Sequence, residues 1–196
     1  MRKVIVLNNV SLDGVMQAPG RADEDERNDF DRGGWAQKFN DDVKGAAMGA
    51  GMAAGAELLF GRRTYEDFHH AWHGQTGNPF TEVLDSTPKY VASTTTEEPL
   101  IWENSTLLKG DVIEAVEELK QQDGPDLLIM GSNKLVQSLR AKPGVIDEYH
   151  LMIHPLVLGK GWRQFPDGAV PEDLELVAEP TVTTTGVIIA IYRAKS

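Results

Sequence analysis

Two short apolar runs, residues 58–60 and 127–130, each stop at a glycine and pass straight into a segment of helical character: "LLFGRRTYEDF" and "LLIMGSNKLVQSL". Runs this short read as buried strands, and the glycine marks the hand-over to a helix. A chain that makes this transition twice is committed to helices layered on a sheet, an α/β architecture. The rest of the pattern agrees. Strands are expected at residues 4–10, 57–60, 89–93, 126–130 and 146–154, with a weaker one at 100–108. Asn40 is placed to cap a helix that runs to about Gly55, with Asp41 and Asp42 in its first turn. Further helices are expected at 62–70, after Asn78-Pro79, at 111–122 and after Gly131-Ser132. The strands alternating with these helices are expected to be mostly parallel. Residues 174–181 and 187–193 form a closing antiparallel pair around Gly186.

With 196 residues, one domain spanning 1–196 is expected, long enough to bury a core without staples. The chain has no cysteine, so disulfide and thiolate chemistry are excluded. That fits a reducing compartment, and a cytoplasmic location is expected. No segment approaches the ~20 apolar residues that span a bilayer. The formal net charge of -11 disfavours nucleic acid and anionic membranes as partners. Against that background, Arg62 and Arg63 at the first strand–helix turn stand out.

A helix N-terminus offers unpaired N–H groups and partial positive charge, which suit phosphate, and glycine lets a ligand approach the backbone closely. Both turns lie at carboxyl ends of strands, where open α/β sheets bind ligands. Arg62 and Arg63 could therefore grip phosphate oxygens; the alternative is surface pairing with Glu66 and Asp67. "GAGMAA", residues 49–54, matches a dinucleotide fingerprint in letters only. It is preceded by a helical segment instead of a strand, so it reads as a small-residue helix face packed on the sheet. In "FHHAWHG", His69 and His73 are four apart and could share a helical face, but no carboxylate stands at a catalytic spacing and no metal is assigned. In 146–154, His150, Met152 and His154 alternate onto one strand face, which reads as packing.

These motifs together resemble the dihydrofolate reductase superfold, and within it the RibD C-terminal domain family. The similarity covers nearly the whole chain and rests on "SLDGVM", "GGW", "LLFGRRTYEDF", "PKYVAST", "LLIMGSNKLVQSL" and "IDEYHLMIHPLVLGKGWRQF" in that order. It implies a three-layer fold: a mixed, mostly parallel sheet of about eight strands with flanking helices, a C-terminal antiparallel pair and an NADPH site. It implies that Gly61, Arg62, Arg63 and Thr64 hold the pyrophosphate and 2′-phosphate, with Ser93 and Thr94 near the adenosine 2′-phosphate. Gly131, Ser132, Asn133, Lys134 and Leu135 match the second phosphate turn, and Leu12, Asp13 and Gly14 a mobile loop beside the nicotinamide. The family habit also implies a homodimer.

Three positions depart from the family pattern. The acid that folate reductases carry on the first long helix falls near Gly45, with Asp41 and Asp42 a turn too early, which argues against dihydrofolate. Leu7 stands where riboflavin-pathway reductases often carry lysine. Ser132 replaces the second glycine of a Gly-Gly step.

The expected function is NADPH-dependent hydride transfer to a C=N or C=O of a small heterocycle of the pteridine or pyrimidine kind. On the substrate side, Asn8 and Asn9 could bond the substrate or the nicotinamide amide, or simply finish the strand. Trp35 could close over the ring as part of a lid, or be buried. Asp13, Asp41 or a water could supply the proton. The alternative is a catalytically silent nucleotide- or metabolite-binding module on the same fold.

Overall fold

The computed structural model describes residues 1–195. β1 (Val4–Ser11) lies at the centre of the sheet. After a long connection comes α1 (Asp42–Ala53), then β2 (Glu57–Gly61), α2 (Arg62–Trp72) and α3 (Pro79–Ser86). β3 (Lys89–Ala92), β4 (Ser105–Leu108), α4 (Val112–Gln121), β5 (Leu127–Met130) and α5 (Asn133–Arg140) follow. The chain closes with β6 (Glu148–His154), β7 (Leu174–Leu176), β8 (Thr181–Val182) and β9 (Ile188–Ala194). The strand order is β4-β3-β2-β5-β1-β6-β9-β7, with β8 also on β9. From β4 to β6 every pairing is parallel, and all pairings of β9 are antiparallel.

Successive strand residues point to opposite faces, and the core divides accordingly. Val4, Val6, Leu59, Leu127 and Ile129 pack with Val116 and Leu119 of α4 and Leu135, Val136 and Leu139 of α5. Leu58, Phe60, Leu128 and Met130 face the other way, against Met52 of α1, Tyr65 of α2 and Leu84 of α3. β6 shows the expected alternation: Met152 joins the second cluster, Tyr149 and Leu151 the first. In α1, a Cβ at Gly51 would stand 3.1 Å from Leu128, so the small-residue face does sit against the sheet. A third cluster, Val15, Ala18, Phe30, Trp35 and Ala36, gives the long connection a core of its own.

Three local expectations need correction. Asp41, not Asn40, caps α1, because its carboxylate accepts from Lys44 N at 2.8 Å. The strand expected at 100–108 begins only at Ser105. Ahead of it Trp102 turns inward, its N–H donating to the Tyr65 hydroxyl at 2.8 Å and its indole N–H to Asp85 at 2.7 Å. Those bonds replace the ladder that a strand there would need. The segment 174–181 is two short strands separated at Pro180, which has no N–H to give to a ladder. Both pair with β9, so the closing unit has three strands.

Candidate functional site

A cleft of about 1550 Å³ opens at the carboxyl ends of the parallel strands. Pockets for one drug-sized ligand run to roughly 300–1,000 Å³, so this one has room for two ligands side by side. One half is built by the two strand–helix turns. Gly61, Arg62, Arg63 and Thr64 line it from β2–α2, and Gly131, Ser132, Asn133, Lys134 and Leu135 from β5–α5. Ser93 and Thr94, just beyond β3, extend the same wall.

The helices divide by how they begin. α1, α3 and α4 start under a side-chain cap, from Asp41, Asn78 and Asp111. α2 and α5 have no side-chain cap, and both of these start in the cleft. The first-turn N–H groups of a helix lack intrahelical partners, so the two uncapped helices present bare donors and the positive ends of their dipoles to one space. The turns are also locked together. Gly61 N donates to the Ser132 hydroxyl at 2.9 Å, and Ser132 N donates to the Thr64 hydroxyl at 3.1 Å. Such a unit suits a diphosphate. Arg62 is held in an i,i+4 pair with Glu66 at 2.9 Å on the half-exposed face of α2. Asp67 pairs instead with Arg21 of the long connection, so one half of the surface-pairing alternative is realised. An exposed i,i+4 pair is worth only about 0.3–0.5 kcal/mol; a phosphate, which takes charge-assisted bidentate bonds, can displace it.

Asn8 lines the cleft, but its amide is already engaged. It donates to Gln164 Oε1 at 2.7 Å and accepts from Gly131 N at 2.7 Å, fastening the second turn to the segment after β6. Asn133 and Gln137 reinforce that brace through the carbonyls of Arg163 and Gln164. Ser93 folds its own loop, its hydroxyl accepting from Thr95 N and Thr96 N.

Four of the expected residues do not line the cleft. Asp13 accepts from the Ser11 hydroxyl at 2.6 Å and from Leu158 N and Gly159 N at 3.1 and 2.8 Å. Burial opposes ionisation there, and these hydrogen bonds outweigh it, holding the carboxyl below its ordinary range. Leu12 and Gly14 flank it on a pinned turn, Leu12 exposed to solvent. Trp35 is buried in the third cluster, donating to Gln17 O at 2.7 Å, with its edge on His154. Of the two readings of Trp35, lid or burial, the structure shows burial. Asp41 does reach the cleft, but the bonds from Lys44 N and the Thr184 hydroxyl hold it at about 2, an anion and not a proton source at neutral pH.

Beyond Asp41, the sequence pointed only to Asn9 in the other half of the cleft. Its floor is the α1 face carrying Lys44 and Met48, together with Asn9 of β1. Its walls are the connection from Met16 to Arg27 and the aromatic rings of Phe68, Trp72 and Phe80. Glu24 stands on the rim, its carboxyl pushed up by burial. Lys44 is a lone lysine in a run of small residues, and no periodicity marks it. His69 and His73 lie apart from all this, stacked on each other at 4.6 Å, with His73 bonded to Asp85.

The family described as the RibD C-terminal domain matches residues 2–188. The protein YyaP of Bacillus subtilis (strain 168) is 30% identical over 140 residues, covering 69% of this chain and 72% of that one. A solved structure from Shewanella sp. PV-4, named as a riboflavin biosynthesis protein, superposes with TM-score 0.66 at 21% identity over 99% of both chains. The diaminohydroxyphosphoribosylaminopyrimidine deaminase/5-amino-6-(5-phosphoribosylamino)uracil reductase of Thermotoga maritima gives TM-score 0.63 at 16% identity. That match spans 99% of this chain and 57% of that one. At these identities the two structures establish the fold. No described helix is long and apolar enough to cross a membrane.

Proposed function

The chain belongs to the RibD C-terminal domain family, and from that premise we propose that it is an NADPH-dependent reductase acting on a small heterocycle. The observation that carries the reading is the pair of uncapped helix N-termini, bonded to each other and open to one cleft. Bound there, NADPH supplies the hydride. The protein's residues hold and orient. The first turns of α2 and α5 receive the diphosphate, and Gly131, with φ of 73° and no Cβ, lets the two turns close on each other. Arg62 and Arg63 receive the extra phosphate that separates NADPH from NADH, in a bidentate geometry that lysine does not offer. Phe68, Trp72 and Phe80 give an apolar aromatic wall beside a ring and keep water from it.

Titration of the protein with NADPH and NADH tests this. NADPH should bind at least ~10-fold tighter, and the Arg62→Ala/Arg63→Ala variant should lose that preference while NADH binding stays nearly constant. Failure of either coenzyme to bind, or an unchanged preference in the double variant, overturns the assignment. NADPH oxidation across pteridines, pyrimidines and small carbonyls then separates a reductase from a silent binding module, which would bind the coenzyme and turn over none of them.

A further inference from the structure

Asn8 and Asn9 are neighbours on β1, yet the structure treats them oppositely. Asn8 is bonded at both ends of its amide. Asn9 Oδ1 is buried with no partner, and its Nδ2 faces only the Met48 sulfur at 3.9 Å, a weak acceptor. A buried polar atom without a partner costs free energy, so it calls for an explanation. Met48 is one helical turn from Lys44, which places both on the α1 face that floors the cleft.

Lys44 is the second anomaly. It is only 4% exposed, and its ammonium makes no ion pair among the described residues. Two of its three N–H groups are accepted by Asn40 Oδ1 at 2.9 Å and Ala36 O at 3.3 Å. The carboxylate whose charge acts on it, Asp41, is engaged by Lys44 N and by Thr184 and Thr185. A buried cation without a carboxylate is held at a cost that an incoming anionic or strongly polar oxygen would relieve. Burial draws its pKa down, with Asp41 opposing, in keeping with a site waiting for such an oxygen.

We propose that Lys44 and Asn9 together read the substrate. The ammonium donates to an oxo or anionic oxygen on the ring, and the Asn9 carbonyl accepts an adjacent ring N–H. The class selected is a flat heterocycle presenting a lactam edge, and the class rejected is one presenting protonated amino or amidine groups at the same edge. The aromatic residues Phe68, Trp72 and Phe80 supply apolar surface beside such a ring but no hydrogen-bond acceptor that would favour an amino edge over an oxo edge. This specificity rests on the reductase reading for its context, but its test does not depend on turnover.

The test uses two pteridines of nearly equal shape, lumazine (two oxo groups) and 2,4-diaminopteridine, titrated into the full chain with and without NADPH. Lumazine should bind about tenfold or more tighter. Lys44→Met should remove most of that preference, weakening lumazine about tenfold while diaminopteridine holds or improves; Lys44→Arg should retain it. Asn9→Ala should weaken lumazine by several-fold, as expected for one hydrogen bond. A merely structural lysine predicts equal losses for both pteridines, and that result overturns the proposal. So does a wild-type protein with no preference, which needs no variant to be seen. NADPH affinity is read in parallel: its absence defeats the reductase assignment, while the pteridine preference still decides the role of Lys44.

Discussion

The two strand–helix turns that line one half of the cleft look alike in sequence and are made differently. At the end of β2, Gly61 is in ordinary extended backbone, φ -78° and ψ 151°. At the end of β5, Gly131 and Ser132 are both left-handed, with φ of 73° and 55°. A Cβ at Gly61 would meet Leu135 and Ser132 at 3.6–3.8 Å, ordinary contact, whereas one at Gly131 would stand 3.3 Å from the Thr64 methyl. Neither backbone nor space therefore requires glycine in the first turn, whereas the backbone requires it in the second. The strain of the left-handed pair is offset by the bonds that Ser132 makes to both sides of the first turn.

The sharpest way to break this comparison is to add a side chain to each glycine. Gly131→Val should cost roughly 3 kcal/mol in urea unfolding, since a β-branched residue is forced into left-handed backbone against Thr64. Gly61→Ala should change stability by less than ~0.5 kcal/mol, or raise it slightly by restricting the unfolded chain. Equal costs at the two sites would show that the backbone difference is not energetic. Next in size is Ser132. Ser132→Ala leaves Gly61 N without its acceptor and keeps the strain, for a loss of ~1–3 kcal/mol. Ser132→Gly loses the same bond but relieves the left-handed residue, and should come out about 1 kcal/mol more stable than the alanine variant. Thr64→Val removes the acceptor of Ser132 N with little change of shape and should cost ~1 kcal/mol. In a double-mutant cycle with Ser132→Ala, its effect should be less than additive.

The last test is a control on pH, under which the difference between the two turns should not move. Neither turn owns a group that titrates between pH 4 and 7. His154 does: burial first, then the nearby Lys44 charge, pushes it down to about 4 from 6.5. The unfolded chain therefore takes up a proton on this histidine before the folded one does. Its stabilising contribution is complete above about pH 6.5 and is lost as pH falls toward about 4. Urea midpoints of wild type, Gly61→Ala and Gly131→Val should fall together over that window, their differences unchanged, and His154→Leu should flatten the fall.

What the sequence could disclose follows the same division. The strand–glycine–helix turns were legible because each is local: a few apolar residues, a glycine and a helix start fix the element and its face. The left-handed state of Ser132 was not, because it depends on Thr64 and Gly61 arriving from another part of the chain. Lys44 was invisible for a similar reason. Nothing near it in sequence marks it as buried, and its partners Ala36 and Asn40 acquire meaning only when the connection folds over α1. Trp35, Asp13, Leu12 and Gly14 carried motif letters, yet the connection closes on its own aromatic core and keeps them out of the cleft. The C-terminal strands were legible as β structure, but Pro180 divided one expected strand into two.

The position of β1 has a consequence for how the protein is made. Its neighbours in the sheet are β5 and β6, with Val4 beside Leu127 and Ile5 beside Glu148. β1 thus leaves the ribosome well ahead of both neighbours and stays without them until β5 and β6 have been synthesised. Pairings so distant in sequence form slowly and leave apolar edges open meanwhile. Nascent chains halted before residue 127 should be strong clients of chaperones, and release past 194, once β9 can cover the free edge of β6, should end that dependence.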